Sequence, residues 1–205
     1  MRLMMARARM NHQPAPVAGY TAWDPAYKGA GILLSGSNLV ATATGSAQGI
    51  VRAAKALAGK RYFEVAFTSV VAGTAVIAAG ICDGSEASSA SLGYSSAHGW
   101  AFWGTDAGIR HAGTTLISVT SSQADVIGVA FDAATGSLWF RRNGAWLGGG
   151  APNPAANTAP NYSGILGPVY PAASPWGNSG AIVTGRFDPA SFRDAAPAGF
   201  DPVAS

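Results

Sequence analysis

The chain has 205 residues, which is enough for one large domain or two very small ones and for a substantial core. Its residues are 48% hydrophobic, which argues against a disordered chain. Only 11% of the residues are charged, and no apolar run approaches the roughly 20 residues that a membrane-spanning helix needs. The formal net charge of +3 lies in the first ten residues, so the balanced remainder does not favour specific binding to DNA or RNA.

The N-terminal arm, residues 1–19, contains Arg2, Arg7 and Arg9 but no continuous apolar segment. It therefore lacks the pattern of a secretory signal. The arm could be a disordered basic segment, it could precede a true start at Met10, or a neighbouring subunit could order it, with the three arginines as candidate assembly residues.

Hydrophobic residues alternate with a period of two along most of the chain, which predicts β-strands. In Lys60–Thr68 the side chains of Phe63, Val65 and Phe67 share one face. The same alternation occurs in Asp125–Asp132 and again in the segment that follows, so this region predicts an antiparallel meander.

The turns between these strands end in glycine, as in Asn143-Gly144, which is typical of hairpins. One helical turn is predicted at Ala53–Ala58. Further strands are predicted at Ile32–Leu34, Leu39–Thr44, Ile50–Arg52, Ala75–Cys82, Gly99–Trp103, Val169–Ser174 and Ala181–Phe187. Many short strands separated by turns indicate an all-β sandwich of two antiparallel sheets.

Residues that could perform catalysis do not form a specific pattern. Glu64 lies within a strand without a neighbouring carboxylate, and the histidines lack metal-ligand spacing. Ser96, His98 and Asp106 could form a triad on paper, but three such residues within a short stretch are a common coincidence. We predict no catalytic residue, no metal site and no cofactor.

Two polar groups invite other interpretations that we consider weaker. Asp83, Ser85 and Glu86 could belong to a Ca²⁺ loop, but a solvated turn is the favoured interpretation. Arg141-Arg142 could contact nucleic acid, but we expect two arginines at the end of a hairpin to be solvated. The single cysteine, Cys82, is predicted to be a small buried side chain rather than a reactive thiol.

Trp176 has a different context from the other tryptophans, because it follows a strand within a Ser-Pro-Trp-Gly-Asn segment. A tryptophan beside small and amide residues is typical of a recognition anchor, and a core position is an equal alternative. The loop at residues 148–164 is long enough for a functional loop, and a tolerated surface insertion is an equal alternative there too.

The order of several motifs resembles that of the SPRY domain family. Residues 59–65, GKRYFEV, resemble the strand that opens the SPRY core, and residues 125–132, DVIGVAFD, resemble the family's G-D-V-I-G-V-x-x-D segment. Further matches, in chain order, are Ala79–Cys82, Leu92-Gly93, Gly99-Trp100, Gly136–Phe140, Asn143-Gly144, Val169–Ala172, Phe187 and Pro197–Phe200. The resemblance implies a concanavalin-like bent β-sandwich over residues 20–203 with minimal helix, and it implies a binding module without catalysis.

The resemblance also implies a ligand site. In SPRY proteins that carry a SOCS box, a V-W-G turn helps to form a peptide pocket, and Pro175, Trp176 and Gly177 lie at that turn here. The loop before Leu92 would form the other wall, with Ser88 and Ser91 as candidate ligand-binding residues. This loop lacks the aromatic residue that the family often places there, so the same peptide specificity is not expected.

An alanine- and glycine-rich SPRY domain with the opening found at Thr21–Ser35 resembles those encoded by bacteriophages and prophages. That resemblance implies a virion accessory protein of a tail, fibre or head, present in the virion, or in the bacterial cytoplasm before assembly. Its arm would bind virion or self subunits, and its loops would contact a host-surface protein or glycan. The alternatives are an intracellular peptide-binding adaptor and, with less support, a carbohydrate-active enzyme.

Overall fold

The computed structural model describes residues 19–69, 76–104, 108–119, 124–176 and 179–204. Within these ranges the chain forms fifteen β-strands and one 3-10 helix. No helix in the described residues could cross a membrane. The strands are β1 Trp23–Lys28, β2 Ile32–Ser35, β3 Val40–Ala43, β4 Val51–Ala53, β5 Lys60–Ser69, β6 Val76–Asp83, β7 Gly99–Trp103, β8 Gly108–His111, β9 Thr114–Ile117, β10 Val126–Asp132, β11 Ser137–Arg142, β12 Ala145–Trp146, β13 Val169–Trp176, β14 Ile182–Arg186 and β15 Asp201–Pro202. The 3-10 helix is Pro189–Ser191.

The strands form two sheets, which confirms the predicted all-β sandwich. The seven-stranded sheet has the order β1-β4-β13-β6-β7-β8-β9. The eight-stranded sheet has the order β12-β11-β10-β5-β14-β3-β2, with β15 added beside β5. Neighbouring strands are antiparallel except β15, which is parallel to β5.

The main core lies between the two sheets and follows the predicted alternation. The side chains of Phe63, Val65 and Phe67 in β5 are all 0% exposed and belong to this core. The ring of Phe67 lies 6.3 Å from that of Phe102, which belongs to β7 in the opposite sheet. The period-two pattern therefore identified the inward face correctly, because alternate side chains of a strand point to the same side.

Every additional strand predicted from the sequence overlaps an observed strand. The pattern does not predict β1, β8, β9, β12 or β15, because these strands are short or lie at a sheet edge and lack a clear alternation of buried side chains. The helical turn predicted at Ala53–Ala58 is wrong. Ala53 ends β4, and the backbone N–H of the buried Leu57 donates to the carbonyl of Val169, 2.7 Å away in β13, instead of to a preceding helical turn.

The outward face of the eight-stranded sheet is also buried at β5, β10 and β11, because the C-terminal segment, residues 188–204, lies across these strands. Tyr62, Trp139 and Phe200 form part of a second hydrophobic cluster there. The expectation that Arg141 is solvated is therefore wrong. Its guanidinium is buried and donates to the carbonyls of Asp194 and Ala195, at 3.0 and 2.9 Å.

Glu64 connects this sheet face to the C-terminal segment. Its carboxylate is 0% exposed and accepts hydrogen bonds from the Tyr62 hydroxyl at 2.7 Å and from the backbone N–H groups of Arg193 and Asp194 at 2.6 and 3.1 Å. Burial raises the pKa of Tyr62, and the nearby Glu64 charge raises it further. The phenol therefore stays protonated and keeps donating to the carboxylate.

Two arginines balance the charge of Glu64. Arg141 lies 3.4 Å from one carboxylate oxygen, and Arg186 lies 3.6 Å from the other. Gly128 makes the contact between Arg141 and Glu64 possible. A Cβ at position 128 would lie 2.7 Å from the Arg141 side chain and 2.3 Å from the Tyr62 hydroxyl oxygen. The glycine in the middle of β10 is thus required by packing.

We predict that Glu64→Gln lowers the free energy of unfolding by about 3–5 kcal/mol, because it leaves buried arginine charge without a counter-ion. Urea denaturation of the wild type and the variant measures this change. Asp201→Asn is the matched control, because it removes an exposed ion pair with Arg61 at 3.7 Å and should cost at most about 1 kcal/mol. Equal effects of the two substitutions would contradict the assigned role of Glu64.

Candidate functional site

Two loops, residues 44–49 and 84–98, cover the side of the seven-stranded sheet that points away from the main core. We call this side of the sheet, together with the two loops, the outer face. Small side chains on its strands, such as Ala78, Ala101 and Ala172, leave room for a third hydrophobic cluster that includes Leu92. The Trp103 indole N–H donates to the carbonyl of Leu92 at 2.6 Å, which attaches the loop at residues 84–98 to the sheet.

The second loop, residues 44–49, connects the two regions that the sequence analysis singled out. The Trp176 indole N–H donates to the carbonyl of Ser46 at 2.9 Å, and the Ser174 hydroxyl donates to the carbonyl of Gly49 at 2.6 Å. The next residue, Ile50, donates its backbone N–H to the carbonyl of Ser88 at 3.0 Å. The 44–49 loop therefore bridges the end of β13 and the 84–98 loop.

The predicted tryptophan turn is partly strand. Trp176 is the last residue of β13, is half-buried, and packs against the outer-face cluster. Pro175 is buried, and the alternation of β13 places its side chain on the opposite side of the sheet. Gly177 lies outside the described residues, as do Arg2, Arg7 and Arg9 of the arm.

The two candidate serines lie in the 84–98 loop. Ser88 is half-buried and contributes its carbonyl to the contact with Ile50. Ser91 is 1% exposed, and its hydroxyl has no hydrogen-bond partner among the described residues. The structure thus brings Ser88 and Trp176 to the same surface through the 44–49 loop rather than through a hydrogen bond between them.

A polar cavity of about 400 Å³ opens beside these loops. Its walls include a buried carboxylate, several hydroxyls, an amide and an imidazole: Gln48, Ser85, Glu86, Ser89, Ser96 and His98. Burial raises the pKa of Glu86, and the Ser96 hydroxyl, 2.9 Å from both carboxylate oxygens, opposes that shift. The sequence predicted the loop before Leu92 as one wall of a site, but it did not predict that Gln48, Ser96 and His98 join this loop, because nothing in the sequence shows how a serine-rich loop folds back on itself.

The imidazole of His98 contacts Asp83 rather than a serine. Its Nδ1 lies 2.8 Å from the Asp83 carboxylate, and this hydrogen bond and charge raise the pKa of His98. Ser96 donates to Glu86, and Asp106 lies outside the described residues. The Ser96 hydroxyl accepts a hydrogen bond only from the backbone N–H of His98, at 3.1 Å, and not from its imidazole, so the arrangement does not correspond to a triad.

The residues considered for a Ca²⁺ loop have local partners. Asp83 accepts a hydrogen bond from the backbone N–H of Ser85 at 2.7 Å, which is the geometry of a turn. Within the described ranges, no three His, Cys, Asp or Glu side chains are placed to hold a metal ion together. Cys82 is buried as predicted, and burial raises the pKa of its thiol to about 12.

Two stacked arginines on the outer face were also missed. The Cζ of Arg52 lies 3.7 Å from the ring centroid of Tyr27 and 4.2 Å from that of Tyr170. Arg110 lies 4.7 Å from the ring of Trp103 and 5.6 Å from that of Tyr94. These residues are distant in sequence, so only the arrangement of strands brings them together.

Comparisons with known proteins agree with this architecture. The family model described as SPRY domain matches residues 60–187. The structure is similar to the SPRY domain of human HERC1, with a TM-score of 0.62 and 14% identity over 80% of this chain and 97% of that one. It is also similar to the TRIM65 PSpry domain, with a TM-score of 0.59 and 14% identity over 82% and 90% of the two chains. No curated protein sequence matches significantly.

We predict that Asp83→Asn returns the raised pKa of His98 towards its ordinary value of 6.5, because the substitution removes the negative charge beside Nδ1. NMR titration of the imidazole measures both values. The raised pKa means that protonated His98 is favoured in the folded state, so its pairing with Asp83 stabilises the fold below pH 6.5. This stabilisation is lost as the pH rises through the raised pKa. Urea denaturation should show that the free energy of unfolding falls over this pH range in the wild type and falls less in the variant. An unchanged His98 pKa in the variant would contradict the pairing.

Proposed function

Because this chain belongs to the SPRY domain family, whose members generally bind protein partners, we propose that it is a non-catalytic recognition module. The binding surface is the outer face where the end of β13 and the loops at residues 44–49 and 84–98 meet. The observation that carries this proposal is the half-buried Trp176, held by Ser46 on the same surface as a polar cavity of about 400 Å³.

Trp176 has the properties of a binding anchor. Its indole N–H is bonded to a carbonyl and one side of its ring packs on the outer-face cluster, so its orientation is set before a ligand arrives. A preoriented aromatic ring binds with little loss of side-chain entropy, and tryptophan is enriched among residues that dominate binding energy. Trp176 supplies apolar contact area, and the neighbouring loops supply polar groups.

The 84–98 loop supplies hydrogen-bonding groups for a peptide. The hydroxyls of Ser85, Ser89 and Ser96 line the cavity, whereas the Ser91 hydroxyl is buried in the same loop. Ser88, Ser91, Pro175, Trp176 and Gly177 remain our candidate site, with the buried Ser91 supporting the loop and Pro175 supporting Trp176 from the core side. Extended peptides are recognised through hydrogen bonds to their main chain combined with a few side-chain pockets, and serine hydroxyls can supply such hydrogen bonds.

We predict that Trp176→Ala weakens binding to peptides selected by the wild-type domain at least about tenfold, because it removes the anchor of the surface. Random peptides displayed on phage provide the probes, and fluorescence anisotropy with the selected peptides measures the dissociation constants. Trp146→Ala is the matched control, because Trp146 is also half-buried but packs on the eight-stranded sheet.

Both tryptophan substitutions should lower the melting temperature, because both remove partly buried rings. Only Trp176→Ala should affect binding. Tight binding by Trp176→Ala, or equal losses in the two variants, would contradict the proposed surface.

We further propose that the protein is a virion accessory component whose N-terminal arm binds virion subunits or other copies of the chain. The arm carries the excess positive charge, while the remainder has equal numbers of acidic and basic residues and therefore little charge repulsion between copies. The resemblance to phage-encoded SPRY proteins supports this placement. A peptide-binding adaptor would use the same outer face without needing the arm.

A carbohydrate-active enzyme is not favoured by the position of Glu64. Its carboxylate is 0% exposed and is surrounded by Tyr62, Arg141, Arg186 and the C-terminal segment. An acid in this position cannot reach a glycosidic bond in a surface cleft.

We predict that deletion of residues 2–18 abolishes incorporation into particles and leaves the melting temperature and peptide affinity of the domain unchanged. Incorporation is measured by mass spectrometry of purified particles after complementation in an infected host. Substitution of Arg2, Arg7 and Arg9 by glutamine tests whether the charge of the arm is responsible. Normal incorporation of the deletion variant would overturn the assembly role and favour the adaptor.

A further inference from the structure

The guanidinium of Arg52 is held rigidly on the outer face. It lies between the rings of Tyr27 in β1 and Tyr170 in β13, with Cζ at 3.7 and 4.2 Å from the two centroids. Stacking on aromatic faces suits the flat guanidinium and leaves its N–H groups, which lie in the guanidinium plane, available to other partners. The side chain has therefore lost most of its rotational freedom before any ligand binds.

The charge of Arg52 lacks a counter-ion in the described part of the chain. No hydrogen bond or ion pair joins its guanidinium to another described residue, and its Nε is buried without a partner. Since Nε is its only nitrogen that is both buried and unpaired, the two terminal nitrogens reach the surface. By contrast, Arg61, Arg141 and Arg186 each lie within 4.0 Å of a carboxylate oxygen. Among the described arginines Arg110 shares the stacked guanidinium and the buried, unpaired Nε, but it lies in β8, three strands away from the strand that carries Trp176.

The acidic residues near this position are already engaged. Asp83 pairs with His98, and the Glu86 carboxylate accepts the Ser96 hydroxyl. Asp83 nevertheless lies near Arg52, because Tyr170, which stacks on the guanidinium, is paired in the sheet with Cys82, the residue before Asp83. We therefore expect a ligand with one negative charge, because a second negative charge would add repulsion from this carboxylate.

We propose that Arg52 binds the carboxylate of an aspartate or glutamate side chain in the peptide that this domain recognises. The two terminal nitrogens donate to the two carboxylate oxygens, which is the paired geometry that guanidinium and carboxylate groups form. The choice of a peptide as the source of the carboxylate depends on the proposed function. The carboxylate chemistry depends only on Arg52 and its two tyrosines.

The sheet register also predicts where the acidic residue lies in that peptide. Arg52 is paired with Ala172, and Trp176 is four residues further along β13. This separation is about 13 Å, which an extended peptide spans with about four residues. The acidic position is thus expected about four residues from the position that contacts Trp176.

The first test needs no partner peptide and uses sodium acetate as the probe. The Arg52 side-chain Nε–Hε NMR signal should shift saturably with acetate and remain unchanged with acetamide, the uncharged analogue. Inorganic phosphate at equal ionic strength should bind more weakly. A shift that does not saturate, a shift of equal size with acetamide, or tighter binding of phosphate would overturn the proposal.

The second test uses peptides selected from a displayed random library, with both termini blocked. Replacing the acidic residue of a selected peptide with its amide should weaken binding to the wild type about 10- to 100-fold, the usual effect of losing a charged hydrogen bond. Arg52→Gln should weaken binding of the acidic peptide equally and should no longer distinguish it from the amide form. Arg52→Lys keeps the positive charge if Arg52→Gln is poorly folded, and it should lose most of the preference because it lacks the paired donors.

Arg61→Gln is the matched control, because Arg61 is a partly exposed arginine of β5 in the opposite sheet and has no contact with the outer face. It should retain both affinity and the preference for the acidic peptide. Selected peptides without an acidic position, or an unchanged preference in both Arg52 variants, would overturn this inference while leaving the proposed function intact. If binding does not depend on Trp176, the proposed function fails instead, and the acetate titration still decides the role of Arg52.

Discussion

The buried carboxylate of Glu64 is the constraint on which the arrangement of this sandwich depends. A charge that is 0% exposed is tolerated only when it is paired and hydrogen-bonded, and here two arginines, a tyrosine hydroxyl and two backbone N–H groups provide this. Because the backbone donors belong to Arg193 and Asp194, the C-terminal segment must cross the eight-stranded sheet. Gly128 is required beneath the same cluster, since any side chain would displace Arg141.

The C-terminal segment makes the two outward faces of the sandwich different. The eight-stranded sheet is covered by a segment held through buried charge, which leaves its polar groups engaged. The seven-stranded sheet is covered by two loops that leave a polar cavity, a half-buried tryptophan and a stacked arginine at the surface. The proposed recognition surface is the face whose cover is made of loops, and loops tolerate changes in sequence that a buried ion pair does not.

The fold was largely predictable because strand alternation records which side of a sheet is buried. The pattern in β5 identified the core side chains correctly, and the two SPRY structures share the architecture at 14% identity. The short edge strands were not predictable in this way, since β9 is mostly exposed and β12 has two residues. The candidate site was predictable only as a position, with Trp176 assigned to a turn, whereas it closes a strand and is attached to the 44–49 loop.

The sequence by itself determined the fold family, the main strands and the residues of the central core, because these depend on local alternation and on the order of motifs. Only the tertiary structure decided which polar residues meet. Arg141 reaches Glu64 across 77 positions of the chain and is buried rather than solvated. Arg52 lies between two tyrosines from different strands. Such contacts depend on strand order and on the path of the loops. The energy of a buried charge also depends on every group around it, so no local sequence pattern encodes these contacts.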